Sequence, residues 1–189
     1  MSYKNSKLGE ACLVQRGTTI TQKQAIDGTI PVVAGGLKPT YFHNKANRFN
    51  STITISGSGA NAGFVNLWKQ PIFASDCSTL EVKDSDIDIV YVYYFLLSKQ
   101  GYIYEKLRSG AAQPHVYGKD IAQLDINIPP LPIQQKIVAK LDAIFAEIDK
   151  ATAAAEANAK NSYALYSSAV DSIFEKLADK PVKLSSCSY

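Results

Sequence analysis

The sequence predicts an α+β protein: a small twisted-sheet domain with short helices, followed by one long C-terminal coiled-coil helix. Three observations predict it. Residues 1–130 alternate short β-rich runs with turn signals. From Pro132 to about Leu177 there is no glycine and no further proline until Pro181. Across that second stretch apolar residues recur at spacings of three and four, the stripe of a coiled coil.

Taken in order, Ile30-Pro31-Val32-Val33-Ala34 reads as a strand running into Gly35-Gly36. Ser51 to Ser56 alternates β-branched and small polar residues with the period of two that a strand requires. The glycine-rich stretch Gly57 to Gly63 and the run Phe64 to Trp68 then predict a hairpin with a glycine-rich tip. Asp84-Ser85-Asp86 offers a capping cluster for a helix from Ile87 to Leu97, with Gly101 as its stop. A shorter helix is expected from Tyr102 to Arg108, ended by Gly110, and a strand from Ile121 to Ile128. Proline at the first turn of a helix costs nothing, because its missing N–H would have no intrahelical partner there. One helix over 131–179 would be on the order of 70 Å long. Its seam is Ile137, Leu141, Ile144, Ile148, Ala151, Ala155, Ala159, Tyr163, Tyr166, Val170, Ile173 and Leu177. A lone helix of this length cannot bury that seam on a small domain, so it requires a partner helix. Two shorter helices folded back as a hairpin are the alternative, although no Gly or Pro marks a turn.

Composition excludes some classes. The 46% hydrophobic and 20% charged content is that of an ordinary folded domain. No apolar run approaches the roughly 18–20 residues of a bilayer span, and the N-terminus lacks a signal-peptide core. Cys12, Cys77 and Cys187 read as free thiols of a reducing compartment, so a cytoplasmic location is expected. Residues 1–130 carry 13 Lys/Arg against 10 Asp/Glu and residues 131–189 carry 7 of each, so the whole net charge of +3 sits in the N-terminal part. Between Asp27 and Asp76 there is no acid, yet Lys38, His43, Lys45, Arg48 and Lys69 fall inside. A second acid-free stretch, Glu105 to Asp120, holds Lys106, Arg108, His115 and Lys119. Cations kept while carboxylates are avoided suit a polyanion such as DNA.

Catalytic motifs are weak. Gly57-x-Gly59-x-x-Ala62 fits the dinucleotide fingerprint, but a strand follows where a helix is needed. Ile128-Pro129-Pro130-Leu131 lacks the polar and aromatic residues an amino-methyltransferase motif needs around its prolines. Asp76, Glu81 and Lys83 resemble fragments of a Mg²⁺ nuclease site at a spacing tighter than such sites use. His43 and His115, the only histidines, are too far apart to suggest zinc. Neither a catalytic nor a metal site is expected.

The segment Gly110-Ala111-Ala112-Gln113-Pro114-His115-Val116, then Ile121, Leu124 and Ile126, then Ile128-Pro129-Pro130-Leu131-Pro132-x-Gln134-Gln135-Lys136-Ile137-Val138-x-x-Leu141-Asp142, resembles one in the specificity subunits of Type I restriction–modification systems. There it ends a target recognition domain and begins the long spacer helix. Lys7-Leu8-Gly9-Glu10 with Gly17-Thr18 is similar to the opening of such a domain. The resemblance covers essentially the whole chain. It implies a target recognition domain over 1–130, a spacer and dimerisation helix over 131–179, and a tail, 180–189, in which Lys183-Leu184-Ser185-Ser186 faintly echoes Lys7-Leu8-Gly9-Glu10. Full subunits carry two domains and two helices, so the resemblance implies a half-length form, either a natural half-subunit or a truncated one.

The implied function is non-catalytic recognition of double-stranded DNA. Modification (methyltransferase) and restriction subunits would be the partners, and would use S-adenosylmethionine, ATP and Mg²⁺, with no cofactor in this chain. A homodimer through antiparallel long helices would present two half-sites. The candidate DNA contacts are Lys38, Tyr41, His43, Asn44, Lys45, Arg48, Asn61, Lys69, Arg108, Gln113, His115, Tyr117 and Lys119. Asn and Gln pair bidentately with adenine and Arg or Lys with guanine, while Lys45 and Arg48 are expected to hold phosphates. Two competing readings remain open here: a coiled-coil interaction module without a DNA role, and a Mg²⁺-dependent nuclease.

Overall fold

The computed structural model describes residues 3–39, 41–110 and 112–178. Its backbone divides into two units, one ending at Ala139 and one beginning at Lys140.

The centre of the first unit is strand β5 (Thr52–Ser56), whose five residues are all buried. Period-2 alternation sends Ile53 and Ile55 to one face and Thr52, Thr54 and Ser56 to the other. β5 pairs antiparallel with β6 (Val65–Trp68) and with β8 (Cys77–Val82), and β8 pairs antiparallel with β2 (Cys12–Arg16). The sheet order is thus β2-β8-β5-β6. Its apolar face joins Ile53, Ile55, Val65 and Leu80 to Val92 and Leu96 of helix α2 (Ile89–Ser98) and to Ile103. The hydroxyl-bearing face is covered by a small sheet in which β3 (Ile30–Val33) lies between β4 (Phe42–His43) and β7 (Phe73–Ala74). Val33, Ile72, Ala74 and Cys77 form the apolar cluster there, with Trp68 against it. The buried hydroxyls are satisfied: Trp68 Nε1 donates to Thr54 Oγ1 at 2.9 Å and Arg48 Nε to Thr79 Oγ1 at 2.9 Å. Burial pushes the Cys12 thiol up to about 11 and the Cys77 thiol up to about 12.

Three sequence expectations need correction. Helix α2 is capped by Asp88, whose carboxylate accepts from the Val90 N–H at 2.8 Å, and not by Asp84-Ser85-Asp86. Ile87, just before the cap, shares the core with Val92, a hydrophobic staple that fixes the entry of the helix. Gly101 is no stop. α2 ends at Ser98, Lys99 leaves the helical conformation, and the chain is helical again through α3 (Gln100–Tyr102) and a π-helical turn (Ile103–Leu107), the place of the helix expected from Tyr102 to Arg108, until Arg108 turns extended. Tertiary contacts override the glycine: Gln100 bonds the Gly63 carbonyl at 2.8 Å and the Val65 N–H at 3.1 Å, and Ile103 is fully buried. Finally, the strand expected over 121–128 begins only at Asp125. Gly118–Ile121 forms a helical turn, α4, and β9 (Asp125–Ile128) pairs antiparallel with β1 (Lys4–Lys7). Between β1 and β2, α1 (Leu8–Ala11) is held by backbone bonds from Leu8 to Leu124 and from Gly9 to Ala122.

A single helix, α5 (Leu131–Ala178), follows, so the folded-back hairpin is excluded. Its first turn is tied down by Gln134, which is fully buried. The Gln134 amide donates to the carbonyls of Pro129 (2.8 Å) and Asp86 (2.9 Å), and its oxygen accepts from the Asp88 N–H (2.8 Å). One side chain therefore joins the proline pair, the turn before α2 and the start of α5. In the second unit Ile144, Ile148, Tyr163, Tyr166 and Ile173 of the expected seam are exposed, with Leu141 and Val170 half-buried. The side chain of Leu177, residues 180–189 and Cys187 lie outside the described residues. Among the described residues no helix is long and apolar enough to cross a membrane.

Replacing Gln134 with Ala removes the partner of three backbone groups, one buried at Pro129 and two part-buried at Asp86 and Asp88. The expected loss is about 2–3 kcal/mol, measured by equilibrium urea denaturation of the full chain.

Candidate nucleic-acid interface

Two loops distant in sequence are joined by backbone hydrogen bonds. The β5–β6 turn closes on itself through Gly63 N–H to Ser56 O (2.8 Å) and Ser56 N–H to Phe64 O (3.0 Å). A second turn is closed by reciprocal bonds between Ser109 and His115 at 2.9 and 2.7 Å, with Gly110 at φ +90°. Gly59 N–H donates to Pro114 O and Val116 N–H to Gly57 O, both at 3.0 Å. Only glycine serves at position 63. Its φ is +89°, and an added Cβ would lie 2.8 Å from Ile103 Cγ2 and 3.2 Å from Val116 Cγ2.

These joined loops, the end of β2 and the residues before β8 enclose an open groove of about 670 Å³. β2 contributes Gln15 and Arg16, the β5–β6 turn contributes Ser58, and Asp76 stands at the approach to β8. Gln113, His115, Tyr117 and Lys119 line the opposite wall. The His115 and Tyr117 rings stack 6.2 Å apart at 12°, and Lys119 Nζ lies 5.6 Å from the Tyr117 ring centre. His115 Nδ1 lies 2.7 Å from the Gln113 carbonyl. A carbonyl only accepts, so Nδ1 carries the proton and Nε2 of the neutral ring is an acceptor. A second groove of about 490 Å³ shares Tyr117 and Lys119 and adds Tyr102, Lys106 and Arg108. Tyr117, half exposed, and Lys119 thus form a ridge between two basic clefts.

Of the candidate contacts, the structure brings Gln113, His115, Tyr117 and Lys119 together. Lys38, Asn44, Lys45 and Lys69 are exposed but line neither groove. Others are committed to the fold. His43 is buried beside Phe73, its Nδ1 accepting from the Ile26 N–H at 3.0 Å, and so presents nothing to a groove. Tyr41 donates to the Ile20 carbonyl at 2.7 Å. Arg48, expected to hold phosphate, bonds Thr79, Asn47 O and Arg16 O and pairs with Glu81 at 3.8 Å, so its guanidinium is engaged within the domain. Arg108 lines the second groove, but its guanidinium clasps the Ala60 and Ala62 carbonyls and lies 4.5 Å from the Tyr104 ring centre. Asn61 sits half-buried in the β5–β6 turn, where its carbonyl accepts from the Phe64 N–H.

Gln15, Arg16 and Ser58 were not anticipated. The one sequence signal for Arg16 is a polar end on an otherwise apolar strand. The nuclease-like trio is dispersed: Asp76 accepts from Ser58 Oγ, Glu81 from Thr52 Oγ1 at 3.2 Å, and Lys83 Nζ donates to Gly9 O at 2.6 Å. Among the described residues no group of three His, Cys, Asp or Glu is placed to hold a metal ion. Gly57, Gly59 and Ala62 belong to a hairpin loop running into β6, with no helix facing them.

Known proteins share this architecture. The chain is 32% identical over 101 residues to the specificity subunit of the Type I restriction enzyme MjaVIII of Methanocaldococcus jannaschii, spanning 52% of this chain and 24% of that one. A type I specificity subunit of Mycoplasma pneumoniae is 30% identical over 139 residues, 72% of this chain and 35% of that one. The chain therefore spans about a third or less of these two relatives. Among solved structures, the S subunit of a Type I restriction–modification system from M. genitalium aligns with a TM-score of 0.66 at 22% identity over 79% of this chain and 40% of that one. The HsdS subunit of Thermoanaerobacter tengcongensis aligns with a TM-score of 0.61 at 21% identity, over 78% of this chain and 38% of that one. The model of the Type I restriction modification DNA specificity domain matches residues 2–158, and the chain belongs to that family.

Proposed function

We propose that this chain is the sequence-reading element of a Type I restriction–modification complex, which finds a target in double-stranded DNA and leaves the chemistry to other subunits. One observation carries the reading: Arg16, Gln113, His115, Tyr117 and Lys119 converge on one groove. Gln, His and Arg are the side chains that discriminate base edges in the major groove, and Lys119 on the rim suits a phosphate. Residues 1–130 act as the target recognition domain and residues 131–179 as the spacer. The exposed seam of α5 supports pairing of two copies through antiparallel helices, which would set two recognition domains on a bipartite target by two-fold symmetry. The methyltransferase and restriction subunits are the remaining partners, and S-adenosylmethionine, ATP and Mg²⁺ belong to them. The work is placed in the cytoplasm, where the buried thiols stay reduced and DNA is at hand.

The deciding experiment co-expresses the chain with its methyltransferase subunit and maps N6-methyladenine on host DNA. Methylation at a split palindrome is the expected result. No new methylation by an assembled complex would instead favour a coiled-coil module without a DNA role.

Two substitutions separate register from readout. Lys119→Ala should weaken binding equally across sequences and reduce the slope of log affinity against log salt by about one. Gln113→Ala should relax the preference at one base pair at a cost of about 1–3 kcal/mol, read by competition binding with substituted duplexes.

For the seam, Ile148→Asp should raise the dimer dissociation constant at least about a hundredfold in sedimentation equilibrium. A carboxylate buried without a partner costs several kcal/mol. Unchanged self-association would move the contact off this face.

A further inference from the structure

Among the described residues, Asp76 is the one acidic residue lining the larger groove. Beside a polyanion a carboxylate is repelled, unless it faces a hydrogen-bond donor. The structure fixes it firmly. Ser58 Oγ donates to Asp76 Oδ2, and the Gly57 N–H holds the Asp76 backbone carbonyl at 3.1 Å. Among the described residues Oδ1 accepts no hydrogen bond, and residue 57, a glycine, places no side chain next to it: an added Cβ would lie 3.1 Å away.

Arg16 stands at the same end of the groove, because the neighbouring Gly17 N–H bonds the Cys77 carbonyl at 2.8 Å. Among the described residues no ion pair joins Asp76 to Arg16, so neither is neutralised by the other. The chain has three arginines, and Arg48 and Arg108 spend their guanidinium groups on the fold. An acceptor and a fork of donors therefore line the same end of the groove.

We infer that Asp76 is a specificity-determining residue that accepts the exocyclic amino group of a cytosine, while Arg16 takes the acceptors of its paired guanine. The inference rests on the DNA-reading function proposed above. In the major groove a C·G pair presents one donor, cytosine N4, beside two acceptors, guanine O6 and N7. That pattern matches one carboxylate next to one guanidinium. Adenine also offers an amino group, but its N7 lone pair lies alongside and repels a carboxylate.

The test begins with duplexes selected by the full-length chain from a randomised pool. In the selected site each cytosine is replaced in turn by 2-pyrimidinone, which lacks the 4-amino group. At one position the wild-type chain should lose about 10- to 100-fold in affinity. Asp76→Asn should lose no more than about twofold on the same exchange, because its amide turns a donor to the groove when Ser58 holds the oxygen. Any weakening of the base pair itself cancels between the two proteins. Ser58→Ala keeps the carboxylate and should keep the cytosine preference. Should the Asn variant fail to fold, the wild-type series alone decides: no cytosine costing tenfold overturns the inference. Equal losses in both proteins overturn it too, as does a sensitivity to an adenine replaced by unsubstituted purine that Asp76→Asn abolishes. A wild-type chain that selects no motif at all overturns the DNA-reading function itself, whereas a motif lacking C·G overturns only the role given to Asp76.

Discussion

Everything at the groove depends on the backbone zipper between the β5–β6 turn and the Ser109–Val116 segment. Two bonds of 3.0 Å join residues some 55 positions apart, and they set Ser58 against His115 as a β-bridge. Two arrangements keep the zipper closed. Gly63 lets the turn approach Ile103 and Val116 to a distance no side chain tolerates. Arg108 then clasps two carbonyls of the same turn, with its guanidinium on the Tyr104 ring.

The sequence separation of these partners explains how much could be seen from sequence. Periodicity is local, so the β5–β6 hairpin and the unbroken helix after the proline pair were legible to within a residue or two. Helix ends were less so, because competing caps look alike in sequence: Asp84, Asp86 and Asp88 all offer carboxylates, and burial of Ile87 decides among them. The helix expected from Tyr102 to Arg108 is present, but its π-helical form and its start at Gln100 were invisible, since Gln100 is held by bonds to Gly63 and Val65. The groove was half legible. Acid-free charge density found the Gln113–Lys119 wall, which is contiguous. It could not find Arg16 or Ser58, which reach the groove only through strand pairing over long separations, as in Arg16 opposite Ser78.

The same heuristic misplaced the acid-free stretch between Asp27 and Asp76. Lys45 and Arg48 were expected to meet phosphate, yet Arg48 turns inward to satisfy a hydroxyl and a carbonyl, and His43 is buried as the acceptor of the Ile26 N–H. The reason is geometric. The hydroxyl-bearing face of β5 and β8 is covered by short, irregular strands, which leave backbone groups that need donors. A guanidinium supplies several in a fixed fork, so arginine is drawn inside while Lys38, Lys45 and Lys69 stay on the surface. Positive charge in a sequence is therefore a poor guide to contact until the internal demand for donors is known.

Gln134 makes the same point at the other end of the domain. A glutamine fits there because one group must donate twice and accept once, to Pro129, Asp86 and Asp88, within a site closed to water. A carboxylate would lack the donors and an aliphatic residue would leave three backbone groups unmet. The first turn of α5 is consequently locked to the proline pair and to the cap of α2, both part of the unit that builds the groove. The buried amide supplies that lock through three hydrogen bonds, without enlarging the apolar core.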